Sequence, residues 1–320
     1  MVELKNTHLK KSRLQVVIWP ALYVFILFSV LLALDWAFSL EIDRQLFDVL
    51  SYQWLSAAIF SQALVIIVFI RAWQYNLRLH ELSQISFLQA TLMIGINSIG
   101  KYTPGKVLGV LARGSALYKM AGDGKVVVQA TIVEQLALVH SGVLVALLSW
   151  LIDKNSHTLA LLLLVLGLFS ILLIARFDEL VVNSAFKLLK KPPVTLMHTG
   201  FRQSYKVVFS LMALMWVISA LTLYLLMGAF DVANGWSIYA LIWITVISYL
   251  SGFLAFFTPA GLGVREGVIV AILSTQMSID VAISISVLHR LITLMFDFLL
   301  GALALLFGNS RLTAPIEEGN

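Results

Sequence analysis

From Val207 to Met227 the sequence carries no charged side chain, and five further runs are nearly as apolar: Leu14–Leu34, Tyr52–Ile70, Val126–Ile152, Thr158–Ala175 and Ile279–Gly308. A helix rising about 1.5 Å per residue needs about 20 residues to cross a hydrocarbon core of about 30 Å. In hydrocarbon a backbone must satisfy its own polar groups, and a helix does so within one segment. These runs therefore predict about six membrane-crossing helices. The composition agrees. The chain has 320 residues, 60% hydrophobic and 12% charged, too few charges to cover a soluble surface. The mean hydropathy is +0.93. The expected fold class is an all-α polytopic membrane protein. Leu14–Leu34 follows a basic tail as a signal peptide would. It is too long for a signal h-region and lacks a small-x-small cleavage site, so it reads as a retained first span. With no cysteine, disulfides, thiolate metal sites and iron–sulfur clusters are excluded, and no cofactor is expected.

Two other apolar segments are interrupted. Trp236–Phe256 and Val268–Leu273 flank Phe257-Thr258-Pro259-Ala260-Gly261-Leu262-Gly263-Val264-Arg265-Glu266-Gly267. A looser version, Tyr102-Thr103-Pro104-Gly105-Lys106, separates Ser83–Ile99 from Val107–Tyr118. Broken backbone and charge are tolerated at membrane depth where protein or a water-filled cavity lines them. Each piece is short for a crossing, so both segments read as re-entrant hairpins. If the hairpins cross instead, the count becomes eight or more helices.

Orientation follows from the positive charges. With the amino terminus inside and both hairpins returning to the face they enter, all of the 22 Lys and Arg except Arg44, Lys154, Arg265 and Arg290 belong to the cytoplasmic side. The net charge of +5 is thus assigned to a membrane face, not to nucleic acid. Arg71, Trp73 and Arg78 read as interfacial anchors. Lys187, Lys190 and Lys191 read as a headgroup-facing surface, and Asn183–Leu189 as a segment lying flat on the membrane. Span, span, hairpin, span occurs twice with opposite topology, the pattern of inverted-repeat transporters. The expected division is a cytoplasmic tail (1–13), a first repeat (14–152), a second repeat (158–308) and a second cytoplasmic tail (309–320).

Ionisable residues within spans carry the functional signal. Glu134 shares a helix face with Ala130, Thr131, Ala137, Ser141 and Gly142, and Arg290 shares one with Ser286, Thr293, Asp297 and Gly301. Small and polar neighbours turn both charges into the bundle. A direct Glu134–Arg290 contact would need a reach of roughly 12 Å by helical rise. Two readings stand side by side: a buried polar network fixing helix packing, or a headgroup or proton site on a transport path. His140 and His289 read as packing histidines. At the second break, Gly261 and Gly263 supply turn geometry. The helix start after Gly263, with Arg265 beside it, offers N–H donors and a guanidinium to an anion. Lys106 after Pro104-Gly105 offers a similar set in the first break.

The Phe257–Gly267 motif, followed by Leu288-His289-Arg290, resembles the signature of the flippase-like lysylphosphatidylglycerol synthase transmembrane family. Gly100–Gly105 with Arg113, and Glu134-Gln135-Leu136, are similar to its first-half motifs. The resemblance covers about Leu14–Gly308. It implies a stand-alone inner-membrane relative of the lipid-translocating half of aminoacyl-phosphatidylglycerol synthases. The chain stops at Asn320 without room for an aminoacyl-transferase domain, so lysine transfer is not carried over. The resemblance implies Arg113, Glu134, Arg265, Glu266 and Arg290 as the functional set. Adding the break residues and Asp297, the expected substrate-binding set is completed by Lys101, Thr103, Pro104, Gly105, Lys106, Thr258, Pro259, Gly261 and Gly263. The expected function is translocation of an anionic or phosphate-containing lipid: a phospholipid, an aminoacyl-phospholipid or a polyprenyl-linked lipid. The alternatives are a membrane-embedded enzyme, for which no His-Glu-x-x-His or Gly-x-Ser-x-Gly motif occurs, and a scaffold in glycolipid assembly. Expected partners are membrane lipids, with glycosyltransferases or lipid-modifying enzymes as candidate protein partners.

Overall fold

A computed structural model describes residues 50–80, 82, 84–102, 107–176, 183, 187, 198–255 and 258–312. Among these it has nine α-helices: α1 (Tyr52–Arg78), α2 (Phe87–Gly100), α3 (Val107–Ala121), α4 (Gly124–Asp153), α5 (His157–Arg176), α6 (His198–Ala229), α7 (Ile238–Leu254), α8 (Val264–Leu273) and α9 (Ile279–Arg311). A 3₁₀ turn, Pro259–Gly261, links α7 to α8. Five helices (α1, α4, α5, α6 and α9) are long and apolar enough to cross a membrane. The chain is an all-α polytopic membrane protein. The expected first span, Leu14–Leu34, lies outside the described residues, as do Thr103–Lys106, Lys190, Lys191 and Asn183–Leu189 apart from Asn183 and Lys187.

Local chemistry sets several helix starts. Ser86 caps α2 in a reciprocal box with Gln89. Asp123 accepts from Lys125 N at the start of α4, and Ser237 from Ala240 N at the start of α7. Such caps satisfy donors that a first turn otherwise leaves unpaired.

Contacts fix the relative directions of the helices. α1 and α6 run antiparallel, from Ser51 N on Ala229 O at one end, through Thr222 on Ser61, to Ser204 on Asn76 at the other. Asn76 also donates to Ala130 O of α4 at 2.7 Å, and its carbonyl accepts from His80 Nδ1 at 2.8 Å. α7 begins beside the end of α4, where Ser237 donates to Asp153. Hence α7 starts at the Ser51 end. α2 starts at the Asn76 end, where Arg71 lies over the Phe87 ring and Arg78 donates to Ile85 O.

Each interrupted segment folds back on itself. A methyl at Gly100 would fall 2.0 Å from Gly109 Cα, so α2 and α3 touch backbone to backbone beside their break. In the second segment Gly261 lies against Gly252, and Ser248 Oγ donates to Arg265 O at 3.0 Å. Residues pair symmetrically about the break, as antiparallel limbs require. By rise per residue α2, α3, α7 and α8 measure about 21, 22, 25 and 15 Å, short of a core of about 30 Å. The two hairpins enter from opposite ends of the bundle and meet inside it, where Ala260 N donates to Lys101 O at 3.1 Å. α9 passes both tips: Ser286 donates to Glu266 O of α8, and Gly301 takes Ile99 of α2 against its backbone.

The helix faces expected to point inward do so. Ala130, Ala137 and Ser141 beside Glu134 are fully buried, as is Ser286 beside Arg290 apart from a trace. Trp73 departs from expectation. It is not an interfacial anchor but fully buried, its ring covered by the Arg113 guanidinium at 4.1 Å. Arg113 arrives on α3, the return limb of the first hairpin, a neighbour that periodicity within α1 cannot show.

Candidate functional site

Where the hairpin tips meet, a cavity of about 150 Å³ opens between α1, α2, α4, α6, α7, α8 and α9. It has room for on the order of ten water molecules. Part of its lining is apolar, from Phe69, Leu138, Met215 and Trp216. The lining also carries Lys101, Arg265, Arg290, Glu266 and Asp297. Buried polar atoms in native proteins nearly always have partners. Here Gln62 Oε1, Thr245 Oγ1, Arg265 Nε and His289 Nε2 are buried without a hydrogen-bond partner, and all four residues line this cavity. Orphaned atoms converging on one space mark a site for water or a polar guest.

Asp297, on α9, ties the first hairpin to this space. Its Oδ1 accepts from Lys101 Nζ at 2.6 Å and its Oδ2 from the Tyr102 hydroxyl at 2.7 Å. Lys101 is the C-cap of α2 and Tyr102 follows it, so the helix end delivers both donors. The Tyr102 ring also stacks on Phe298. Tyr102 was not among the expected site residues; its place directly before the Thr-Pro-Gly break is the signal that could have found it.

The second hairpin holds its charges differently. Gly261 and Gly263 adopt φ of 75° and 81°, and Ala260 between Pro259 and Gly261 adopts 49°. These left-handed residues turn the chain sharply enough to begin α8 within the bundle. Glu266 then folds back, accepting from Gly263 N at 2.7 Å. The carboxylate at the start of α8 is thus the protein's own, and it sits where helix N-termini favour negative charge. Glu266 Oε1 lies 3.2 Å from Arg290 Nε. Arg290 Nη2 also reaches Ala260 O at 3.4 Å. The Arg265 guanidinium carbon lies over the Tyr249 ring, 4.0 Å from its centroid. Thr258 and Pro259 shape the turn and do not line the cavity.

Glu134 and Arg113 form a separate pair. Arg113 Nη1 donates to Glu134 Oε1 at 2.8 Å, and Nη2 donates to Oε2. Gln135 Nε2 adds a third donor at 3.3 Å. Both side chains are fully enclosed and neither lines the cavity. Glu134 is paired with Arg113 and Arg290 with Glu266, so the long Glu134–Arg290 contact considered from the sequence does not form. The geometry gives Arg113 and Glu134 a role in fastening α3 to α4. His140 packs as expected, bonded to Tyr205 and Ser170. His289 faces the cavity. Thr103–Lys106 lie outside the described residues.

No curated protein matches the sequence. The family model described as "Lysylphosphatidylglycerol synthase TM region" matches residues 18–301, which takes in both hairpins, the cavity and the Arg113–Glu134 pair. The chain belongs to the lysylphosphatidylglycerol synthase TM region family.

Proposed function

We propose that this protein moves an anionic or phosphate-containing lipid across the inner membrane, its headgroup passing through the cavity where the two hairpins meet. The observation that carries this reading is the cavity's make-up: three cationic side chains and a set of unpartnered polar atoms, midway along a bundle otherwise built for lipid. Ionisable groups at such depth are costly and are retained where a path or ligand uses them. Acyl chains remain in the bilayer while the headgroup takes the polar route.

Alternating access is assigned to the hairpins, which we read as re-entrant halves of an inverted repeat. One enters from each end of the bundle, and their tips touch through Ala260 and Lys101. The Lys101–Asp297 bridge and the Tyr102 hydrogen bond span the first hairpin and α9, so they would break and re-form as the first hairpin moves. Among described residues the Asn76 end carries Arg71, Arg78, Lys119, Lys125 and Lys206, while the opposite end carries Lys154 beside Asp153, Asp231 and Asp280. By the positive-inside rule we assign the Asn76 end, where α9 finishes, to the cytoplasm. The acid–base chemistry of an enzyme finds less support, since Glu266 and Asp297 are both engaged in ion pairs.

Purified protein in liposomes tests the reading. Transfer of fluorescent phospholipid between leaflets with no chemical change to the lipid is the expected result. Formation of a modified lipid would replace the transporter with an enzyme, and absence of both would leave a scaffold.

A further inference from the structure

The charges in the cavity do not cancel. Lys101 is matched by Asp297 at 2.6 Å and Arg290 by Glu266 at 3.2 Å. Arg265 has no carboxylate within 4.0 Å among the described residues and lies instead over the face of Tyr249. Among the described residues that line the cavity, three cations stand against two carboxylates, which leaves one positive charge. Arg265 is half-buried with its Nε shielded, and a charge partly removed from water without a counter-charge is unfavourable. Arg290, itself buried, adds a guanidinium beside the same space.

We propose that the cavity selects a phosphate group with one net negative charge, a phosphodiester headgroup, and that Arg265 is the residue that reads it. This deepens the transport reading and rests on it. A monoanion completes the charge balance. A phosphomonoester dianion would leave an excess negative charge beside Glu266 and Asp297. A zwitterion would bring an ammonium to a site whose two carboxylates are already taken.

The packing around Arg265 supports a fixed reader. Gly252 lies under its side chain: a methyl there would fall 2.4 Å from Arg265 Cγ and 2.7 Å from Nε. The bare backbone of Gly252 thus leaves a notch in α7 through which the side chain passes to reach the Tyr249 ring. Ser248 holds the Arg265 carbonyl from the same helix. Gly252→Ala removes no charge yet displaces the guanidinium, which separates the position of Arg265 from its mere presence.

The test uses the full chain in phosphatidylcholine vesicles with traces of acyl-labelled phosphatidylglycerol, phosphatidylcholine or phosphatidic acid. Dithionite quenching reads transfer between leaflets. Phosphatidylglycerol should move about tenfold faster than the other two, the ratio that about 1.4 kcal/mol gives. Arg265→Ala and Gly252→Ala should both erase the difference between lipids, and Arg265→Lys should keep part of it. Equal rates for all three lipids in the unaltered protein would overturn the selectivity and leave transport standing. Native mass spectrometry from micelles containing the same lipids reads binding alone. Retained phosphatidylglycerol without movement would support the site and overturn transport; no retained lipid and no movement would overturn both. Uptake of radiolabelled inorganic phosphate without lipid movement would assign the site to a free anion and overturn the lipid headgroup.

Discussion

Replacing Arg113 with Met should leave Glu134, which is 0% exposed, with a single weak donor, Gln135 Nε2 at 3.3 Å. Removing one partner of a buried ion pair costs about 3–5 kcal/mol, because a charge is left without a counterpart. Unfolded helices in a membrane still find partners for polar groups, which favours the lower figure. About 3 kcal/mol shifts the folded-to-unfolded ratio by roughly a hundredfold. Glu134→Leu leaves the Arg113 guanidinium over Trp73, 4.1 Å from the ring centre, a contact that offsets part of the loss. The loss should therefore be smaller than for Arg113→Met. The double variant Arg113→Met/Glu134→Leu removes both charges and should recover most of the stability, as apolar replacements of buried pairs do. Unfolding in mixed micelles, followed by tryptophan fluorescence and far-ultraviolet circular dichroism, measures the cycle. Additive losses, or single variants within about 1 kcal/mol of the parent, would refute a mutually compensating pair. A double variant that folds stably should still move lipid; loss of transport at full stability would put the pair on the path.

Three further outcomes are expected. Tyr102→Phe removes one of two recorded donors to Asp297 and should cost about 1.5–3 kcal/mol, the worth of a hydrogen bond to a charged group, in the same unfolding assay. Gly100→Ala places a methyl 2.0 Å from Gly109 Cα, backbone against backbone, and should destabilise by about 1–3 kcal/mol or more and broaden the gel-filtration peak. His80, just past α1, is buried, and that burial pulls its imidazole below the usual value, against the opposing bond to Asn76 O. Its neutral form is favoured by the fold, so stability is full above the unfolded value of about 6.5 and declines as pH falls beneath it. Titrating unfolding from pH 7.5 to 5 should show a smaller decline for His80→Gln than for the parent.

The helices were legible because lipid imposes a simple condition: long uncharged runs must close their own hydrogen bonds. Periodicity also turned Glu134 and Arg290 inward, since Ala130, Ser141 and Ser286 gave them small, buried surroundings. Partners were not legible. Glu134 meets Arg113 and Arg290 meets Glu266 because return limbs bring those residues back across the bundle, and spacing along one helix carries no record of that. The expectation for Trp73 failed for the same reason. Gly252 had a readable clue: it and Gly261 stand equally far in sequence from the Phe256–Phe257 junction where the break begins, and antiparallel limbs would press the two together. The anion seat expected at the start of α8 is taken by the chain's own Glu266, and Arg265 lines the cavity.

The central claim is that a lipid headgroup occupies the space where the hairpins meet. The natural absence of cysteine makes a direct measurement simple, because Ser219→Cys puts one thiol on the cavity wall. The variant is placed in nanodiscs of phosphatidylcholine or of phosphatidylglycerol and exposed to a water-soluble maleimide. Labelling in phosphatidylcholine that slows markedly in phosphatidylglycerol is the predicted result. Equal labelling in both lipids, or none in either, would contradict it.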